Sequence, residues 1–273
     1  MKNLKDIILE HFEYSNFSIL GHVENPNFSI YERLRINKDT GNHHYNYHPK
    51  TRDELKELIK KLINERGNDA DLNDIDTSKI TDMSEVFYYS RFNGDISKWN
   101  VSNVKNMQKM FSWSNFNGDI SNWDVSNVKD MNYMFYMSNF NGDISEWNVS
   151  NVKNMDSMFY KSKFNGDISN WNVSNVENMN EMFMYSKFTG KKGDISKWDV
   201  SNVKNMSFMF FNSNFNGDIS NWDVSKVEDM GTMFQYSEFT GENGDISNWD
   251  VSNVKNMYHM FYKSPLEKNR YKE

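Results

Sequence analysis

Residues 116–139 read FNGDISNWDVSNVKDMNYMFYMSN, and the next block, 140–163, reads FNGDISEWNVSNVKNMDSMFYKSK. Near-identity of adjacent blocks at a fixed period marks a chain whose units bury their apolar sides against one another. Working outward, seven copies of D-I-S-x-W-[ND]-V-S begin at Asp95, Asp119, Asp143, Asp167, Asp194, Asp218 and Asp245. Their tryptophans, Trp99, Trp123, Trp147, Trp171, Trp198, Trp222 and Trp249, are 24, 24, 24, 27, 24 and 27 residues apart. The two long intervals arise where FTGKKGD (Phe188 to Asp194) and FTGENGD (Phe239 to Asp245) replace FNGD. Insertions confined to one corner are what a stacked coil tolerates. A degenerate eighth copy, LNDIDTSKITDMSEVF, precedes the others, with Leu72, Ile75 and Val86 at the isoleucine, tryptophan and methionine positions.

Within a copy, Val104, Met107, Met110 and Phe111 fall at the spacing of a short one-sided helix, with Asn106 at its cap. The F-N-G-D-I-S stretch supplies an Asn-Gly turn signal and a minimal strand. Parallel strands stack about 4.8 Å apart and helices about 8–10 Å apart, so such a coil curves with its strands inside. The expected fold is therefore an α/β repeat solenoid, a leucine-rich-repeat-like right-handed coil of about eight 24-residue turns. Short parallel strands line its concave side and short helices its convex side. Residues 1–50 read as a small α+β N-terminal cap region, 51–71 as a capping helix and linker, 72–264 as the repeats and 265–273 as a charged tail. In the cap, a helix is expected near Leu4 to Phe12 and an alternating strand over Phe28 to Ile36, turning at Lys38 to Gly41. Thr51-Arg52-Asp53-Glu54 is a capping box, and Leu55, Leu58, Ile59, Leu62 and Ile63 continue at helical spacing up to Gly67.

The 273 residues include no cysteine, which excludes disulfides, thiolate catalysis and cysteine-ligated zinc. A net charge of -7 argues against nucleic acid, whose phosphates need a basic surface. Mean hydropathy is -0.83, with no apolar run long enough to span a bilayer, so no membrane insertion is expected. Asp6, Glu10, His11 and Glu13 interrupt the opening stretch where an export signal needs an apolar core, and there is no cysteine for lipidation.

The blocks NWDVSNVKNMxxMF and S-x-F-N-G-D-I-S closely resemble the BspA-type leucine-rich repeat surface proteins, whose repeat is also known as a bacterial-lipoprotein domain of unknown function. The stretch from His48 to Phe87 is similar to the segment that opens many members, and the likeness runs from about Pro49 to Ser264. It implies a curved leucine-rich-repeat-like solenoid that adheres to host or neighbouring-cell proteins, on the cell surface or secreted.

Most polar positions are copied seven times, whereas catalysis needs unique residues, so the reading is of a non-enzymatic scaffold without a cofactor. The aspartates Asp95, Asp119, Asp143, Asp167, Asp194, Asp218 and Asp245 form a ladder. Each carboxylate either accepts backbone N–H groups in its own turn or takes part in a row of calcium sites; the turn is the plainer reading. His43, His44 and His48 cluster, but adjacent histidines point to opposite faces of a strand, which defeats a shared metal site. Positions that vary from copy to copy are the partner-binding candidates. They are Tyr88, Tyr89, Trp113, Tyr136, Tyr160, Tyr185, Phe211, Tyr236 and Tyr262 beside the Met-Phe pairs, and Lys98, Glu146 and Lys197 on the strand side. The aromatic set reads first as packing between neighbouring copies and second as an exposed protein-binding strip. The tail KNRYKE leaves the last copy poorly covered, so either the tail folds back on that end or, as the alternative function, the chain self-associates into a homo-oligomer through it.

Overall fold

The computed structural model describes residues 45–270. The chain divides into two units, 1–44 and 45–273, and the second is described here. The helix expected near Leu4 to Phe12, the strand over Phe28 to Ile36 and most of the expected cap lie outside the described residues.

Helix α1 spans Arg52–Arg66. The Thr51 hydroxyl accepts the Glu54 N–H at 3.2 Å, and the Glu54 carboxylate reaches back to the Lys50 N–H at 2.7 Å. Two amides that the helix itself leaves unpaired are thereby satisfied. Gly67, at φ 93°, closes the helix by donating to the Ile63 carbonyl at 2.8 Å, a backbone angle that suits a residue without a Cβ. Leu55, Ile59 and Leu62 are buried on the core of the repeats. Arg66 forks onto both carboxylate oxygens of Asp74 at 3.0 Å and ties the end of α1 to the first copy.

The copies lie on one another in register. The Lys129 N–H donates to the Lys105 carbonyl one copy back, and the Met107, Lys109, Phe111 and Trp113 N–H groups donate to carbonyls one copy forward, all at 2.8–2.9 Å. The same ladder recurs from copy to copy. Parallel bridges join Asp82, Asn106, Asp130, Asn154, Asn178, Asn205, Asp229 and Asn256 in one column. Side chains extend the pattern: the Trp123 indole N–H donates to the Ile96 carbonyl at 3.2 Å, and Asn127 donates to the Ser102 carbonyl at 2.8 Å. The recurring tryptophans and asparagines thus satisfy backbone acceptors of the preceding copy. The core is an array of identical rings: Phe111, Phe135, Phe159, Phe183, Phe210, Phe234 and Phe261 follow one another at 5.6 to 5.7 Å.

Two expectations about this architecture are corrected. Among the described residues the only helices are α1 and α2 (Pro265–Arg270), so the Val-Met-Met-Phe stripe is not a short helix. It is a chain of tight turns, in which Met110 bonds back to Met107, Ser112 to Lys109 and Ser114 to Phe111. The amides between these donate to the next copy instead. Two residues per copy adopt the left-handed conformation, for example Lys109 at φ 54° and Trp113 at φ 56°, and a right-handed helix cannot pass through them. The second correction concerns the D-I-S stretch, which pairs its backbone only at Asp71 and Asp95. Rings on that side are 6.4 Å apart, as between Trp99 and Trp123 or Phe116 and Phe140, and amides there turn back within their own copy, as the Trp123 N–H does to the Ile120 carbonyl at 3.2 Å. Pairing therefore runs along the Asn-Met-Phe side, where the copies are closer. Asn106, expected as a helix cap, instead accepts the N–H of Gln108 two residues on, at 3.0 Å.

After the eighth copy, α2 folds back. The Lys263 N–H donates to Glu267 at 2.6 Å and Leu266 packs against the core. Met257 and Tyr258 remain open at 42% and 69% exposure, whereas Met107, Met131 and Met155 in the column of Met257 are fully buried.

Candidate binding surface

The turn ladder that replaces the helix decides where the variable aromatics go. Each copy offers two adjacent positions after its Met-Phe pair, one with an ordinary backbone and one left-handed, as with Ser112 and Trp113. An aromatic occupies one or the other in every copy, and the rings join. Tyr88 meets Tyr89 at 4.6 Å, Tyr89 stacks on Trp113 at 5.2 Å, and Trp113 reaches Tyr136 at 6.4 Å. Tyr136 stacks on Tyr160 at 4.5 Å, and Tyr160 meets Tyr185 edge-on at 5.9 Å. Phe211, Tyr236 and Tyr262 continue at 5.3, 5.7 and 6.0 Å. The file is unbroken across eight copies. It is also open: Tyr89 is 59% exposed, and Tyr88, Trp113, Tyr185 and Tyr236 are exposed beside it. Packing between copies and access to solvent, set against each other in sequence, occur in the same rings.

The file has a polar underside that sequence reasoning missed. Ser157, fully buried, places its hydroxyl 3.1 Å from an oxygen of Asp156 and 3.1 Å from an oxygen of Glu181. Asn180 donates to Asp156 at 2.8 Å, and Ser207 donates to Asn180 at 2.7 Å. Both carboxylates sit above their ordinary range. Burial is the main cause, and Asp130 adds to it at Asp156 as Asp156 does at Glu181. The Tyr136 phenol is pushed up to about 12 by burial, by the Tyr160 hydroxyl and by Glu181. Tyr133 stands over the same group, its phenol raised by burial and by both carboxylates. The only sequence signal was that Asp156 and Glu181 fall at variable positions of the repeat, which is not enough to pair them.

These shifts give a pH prediction whose sign runs against the usual acid loss. A carboxylate raised in the folded state holds its proton more tightly there than in the unfolded chain, so Asp156 and Glu181 cost stability at neutral pH and cease to do so as pH falls through their folded values. Asp74 behaves oppositely. Burial is outweighed by its bonds from Arg66 and Asn46, so its contribution is present above the ordinary carboxylate value and lost in acid. Asp156→Asn, which copies the residue at Asn132 and Asn180, is expected to stabilise the fold by about 0.5–1 kcal/mol at pH 7, allowing for partial solvent screening. The gain should vanish by about pH 4. Urea unfolding at both pH values checks it, and a gain independent of pH would refute the assignment.

The other candidates lie elsewhere. Each ladder aspartate accepts the N–H of the serine two residues on, from Asp95 to Ser97 at 2.8 Å through Asp245 to Ser247 at 2.8 Å, with Asp119, Asp143, Asp167, Asp194 and Asp218 at 2.9 Å. These are closed Asx turns. Lys98, Glu146 and Lys197 are exposed beside the tryptophans, on the wider-spaced side and apart from the aromatic file. His48 lies 3.2 Å from Asp76 at the first copy, while His43 and His44 lie outside the described residues. No described helix is long and apolar enough to cross a membrane.

Comparison with known proteins adds one family. Residues 54–162, 113–191 and 184–271 each match the model described as a Mycoplasma protein of unknown function, DUF285. No curated protein and no solved structure matches the chain.

Proposed function

The chain belongs to the Mycoplasma DUF285 family of tandem-repeat proteins, and on that premise we propose that it is a non-enzymatic scaffold that binds another protein along its aromatic file. The overall form proposed with it is a leucine-rich-repeat-like solenoid of the BspA type, acting as an adhesin at the cell surface. The in-register stacking of copies and the likeness of the repeat blocks support that form.

The observation that carries the binding reading is the file itself: eight copies of joined rings that stay partly open to water. Aromatic side chains offer large contact area at little loss of conformational freedom, which is why they dominate binding hot spots. Tyr89, Trp113, Tyr185 and Tyr236 also hold left-handed backbone angles, φ 54–58°, that cost a bulky residue roughly 1–2 kcal/mol each. Asparagine stands at the same position in Asn212, so folding does not require the aromatics. Strain kept at exposed rings points to use rather than packing.

Replacing Tyr89, Trp113, Tyr185 and Tyr236 together with asparagine tests the reading. Proteins retained from host or self lysates by the parent chain should be lost from the variant, which stays folded and at least as stable. Identical capture by parent and variant would sink it.

Self-association is the second reading, favoured by the exposure of Met257 and Tyr258. It meets a polarity problem. In the other copies the N–H groups of this ladder point forward and the carbonyls back, so the eighth copy presents the donors of Met257 and His259. Two such ends face to face oppose donor with donor. The complementary carbonyl side of the first copy lies beside α1, where Arg52 bonds Ser84 at 3.0 Å and Lys56 pairs with Glu85 at 3.8 Å.

A further inference from the structure

We propose that the stretch of the file formed by Tyr136, Tyr160 and Tyr185 seats a cationic side chain, foremost an arginine, of the bound protein, with Asp156 and Glu181 as its counter-charges. The inference rests on the protein-binding reading and names the chemistry of the partner at its centre.

The Ser157 hydroxyl has one proton and two carboxylate oxygens at 3.1 Å, so it serves only one at a time. Asn180 donates to Asp156 at 2.8 Å and also serves Glu181, so the two carboxylates share the protons of neutral side chains and meet no cation. Asn132, in the column of Asp156 one copy earlier, has a buried side-chain oxygen with no donor.

Charge points the same way. Among the described residues neither Asp156 nor Glu181 forms an ion pair, whereas Glu177, on the same stretch of chain, is bracketed by Lys204 at 2.9 Å and Lys153 at 3.4 Å. Both carboxylates are only partly buried, so a side chain arriving from solvent can reach them. Half-buried carboxylates without a cation are a cost that an incoming cation relieves.

The rings supply the rest. Two lysines of the repeats already lie against tyrosines on this side: Lys109 lies 5.7 Å from the centre of Tyr133, and Lys263 lies 5.2 Å from both Tyr236 and Tyr262. Such positions attract cations through the ring quadrupole. Lys161, beside Tyr160, makes no such contact, and between Tyr136 and Tyr185 the chain provides the two carboxylates instead. A guanidinium fits this combination better than an ammonium, because it stacks on a ring face while its N–H fork meets two acceptors.

The test uses the full chain and two labelled decapeptides of glycine and serine, one carrying three arginines and the other three glutamates, followed by fluorescence anisotropy. The arginine peptide should bind, more weakly as salt rises, and the glutamate peptide should not. Asp156→Asn with Glu181→Gln should weaken the arginine peptide roughly ten- to hundredfold, since a hydrogen-bonded charge is being removed. Glu177→Gln with Glu228→Gln, which removes the same charge elsewhere, should leave it within about twofold. Circular dichroism establishes that each variant is folded. Equal binding of the two peptides, equal weakening by both double variants, or calcium binding at Asp156 and Glu181 with no peptide binding would overturn the proposal. If the asparagine-substituted file loses captured proteins while the carboxylate variants capture them undiminished, the protein-binding reading stands and the cation seat falls.

Discussion

Phe159→Ala is expected to destabilise the chain by about 3–5 kcal/mol, the cost of removing a fully buried aromatic from a close-packed core. Phe159 is completely buried and lies between Phe135 at 5.7 Å and Phe183 at 5.6 Å, with Phe164 at 4.4 Å and Trp171 at 6.3 Å. One deletion therefore opens a void that touches three successive copies. The rings on either side are held by their own backbone ladders and cannot move in to fill it, which puts the loss at the upper part of the range. Phe261, at the same position in the eighth copy, stacks on Phe234 at 5.7 Å and is partly exposed. Phe261→Ala should cost about 1–2 kcal/mol. Because each copy is buried only by its neighbours, stability is close to a sum of nearest-neighbour terms, and a break at the centre severs two interfaces where a break at the end severs one. Urea unfolding of both variants measures the difference, and equal losses would mean that stability does not reside in stacking between copies.

Gly94→Ala is the second large effect, about 2–3 kcal/mol, and its cause is different. A methyl group at this position would collide with the Ala70 carbonyl oxygen and lie 2.8 Å from the Ala70 nitrogen. Backbone on both sides is pinned, since the Asn93 N–H donates to Asn68 at 2.8 Å and the Asp95 N–H donates to Ala70 at 3.0 Å. Relief would require breaking the junction between the segment that follows α1 and the first full copy. Gly244 belongs to the same repeat position, and there the obstacle is a side chain, the carboxylate of Asp218, which can turn aside at the loss of its bonds from Ser220 without moving backbone. Gly244→Ala should cost less than about 1 kcal/mol. Thermal unfolding separates the two, and comparable shifts would show that the clash at Gly94 is relieved by a means other than backbone displacement.

Both predictions depend on features of different visibility. The phenylalanine column was readable from the repeat alone, because an apolar residue recurring at one position of each copy has to stack if the copies stack. The severity at Gly94 was not, since Gly94 and Gly244 occupy one motif position and differ only in what lies across from them. The same division runs through the candidate surface. Variable aromatics could be picked out as the positions that stacking does not dictate, yet whether they were packed or exposed could not be decided.

What the sequence by itself determined is the period, the corner that absorbs insertions, the side chains that form the core and the residues that bound α1, Thr51 and Gly67. These follow from local spacing and capping chemistry, which are written along the chain. Only the tertiary structure decided the conformation within a copy and the joining of groups between copies. A stripe with helical spacing became a ladder of turns because amides of one copy found carbonyls in the next, so that left-handed residues such as Lys109 and Trp113 are held by neighbours rather than by their own propensity. Aromatics on two adjacent positions merged into one file, and Asp156 met Glu181 across a shared serine, because contacts between copies are set by the stack and not by the order of residues within any one of them.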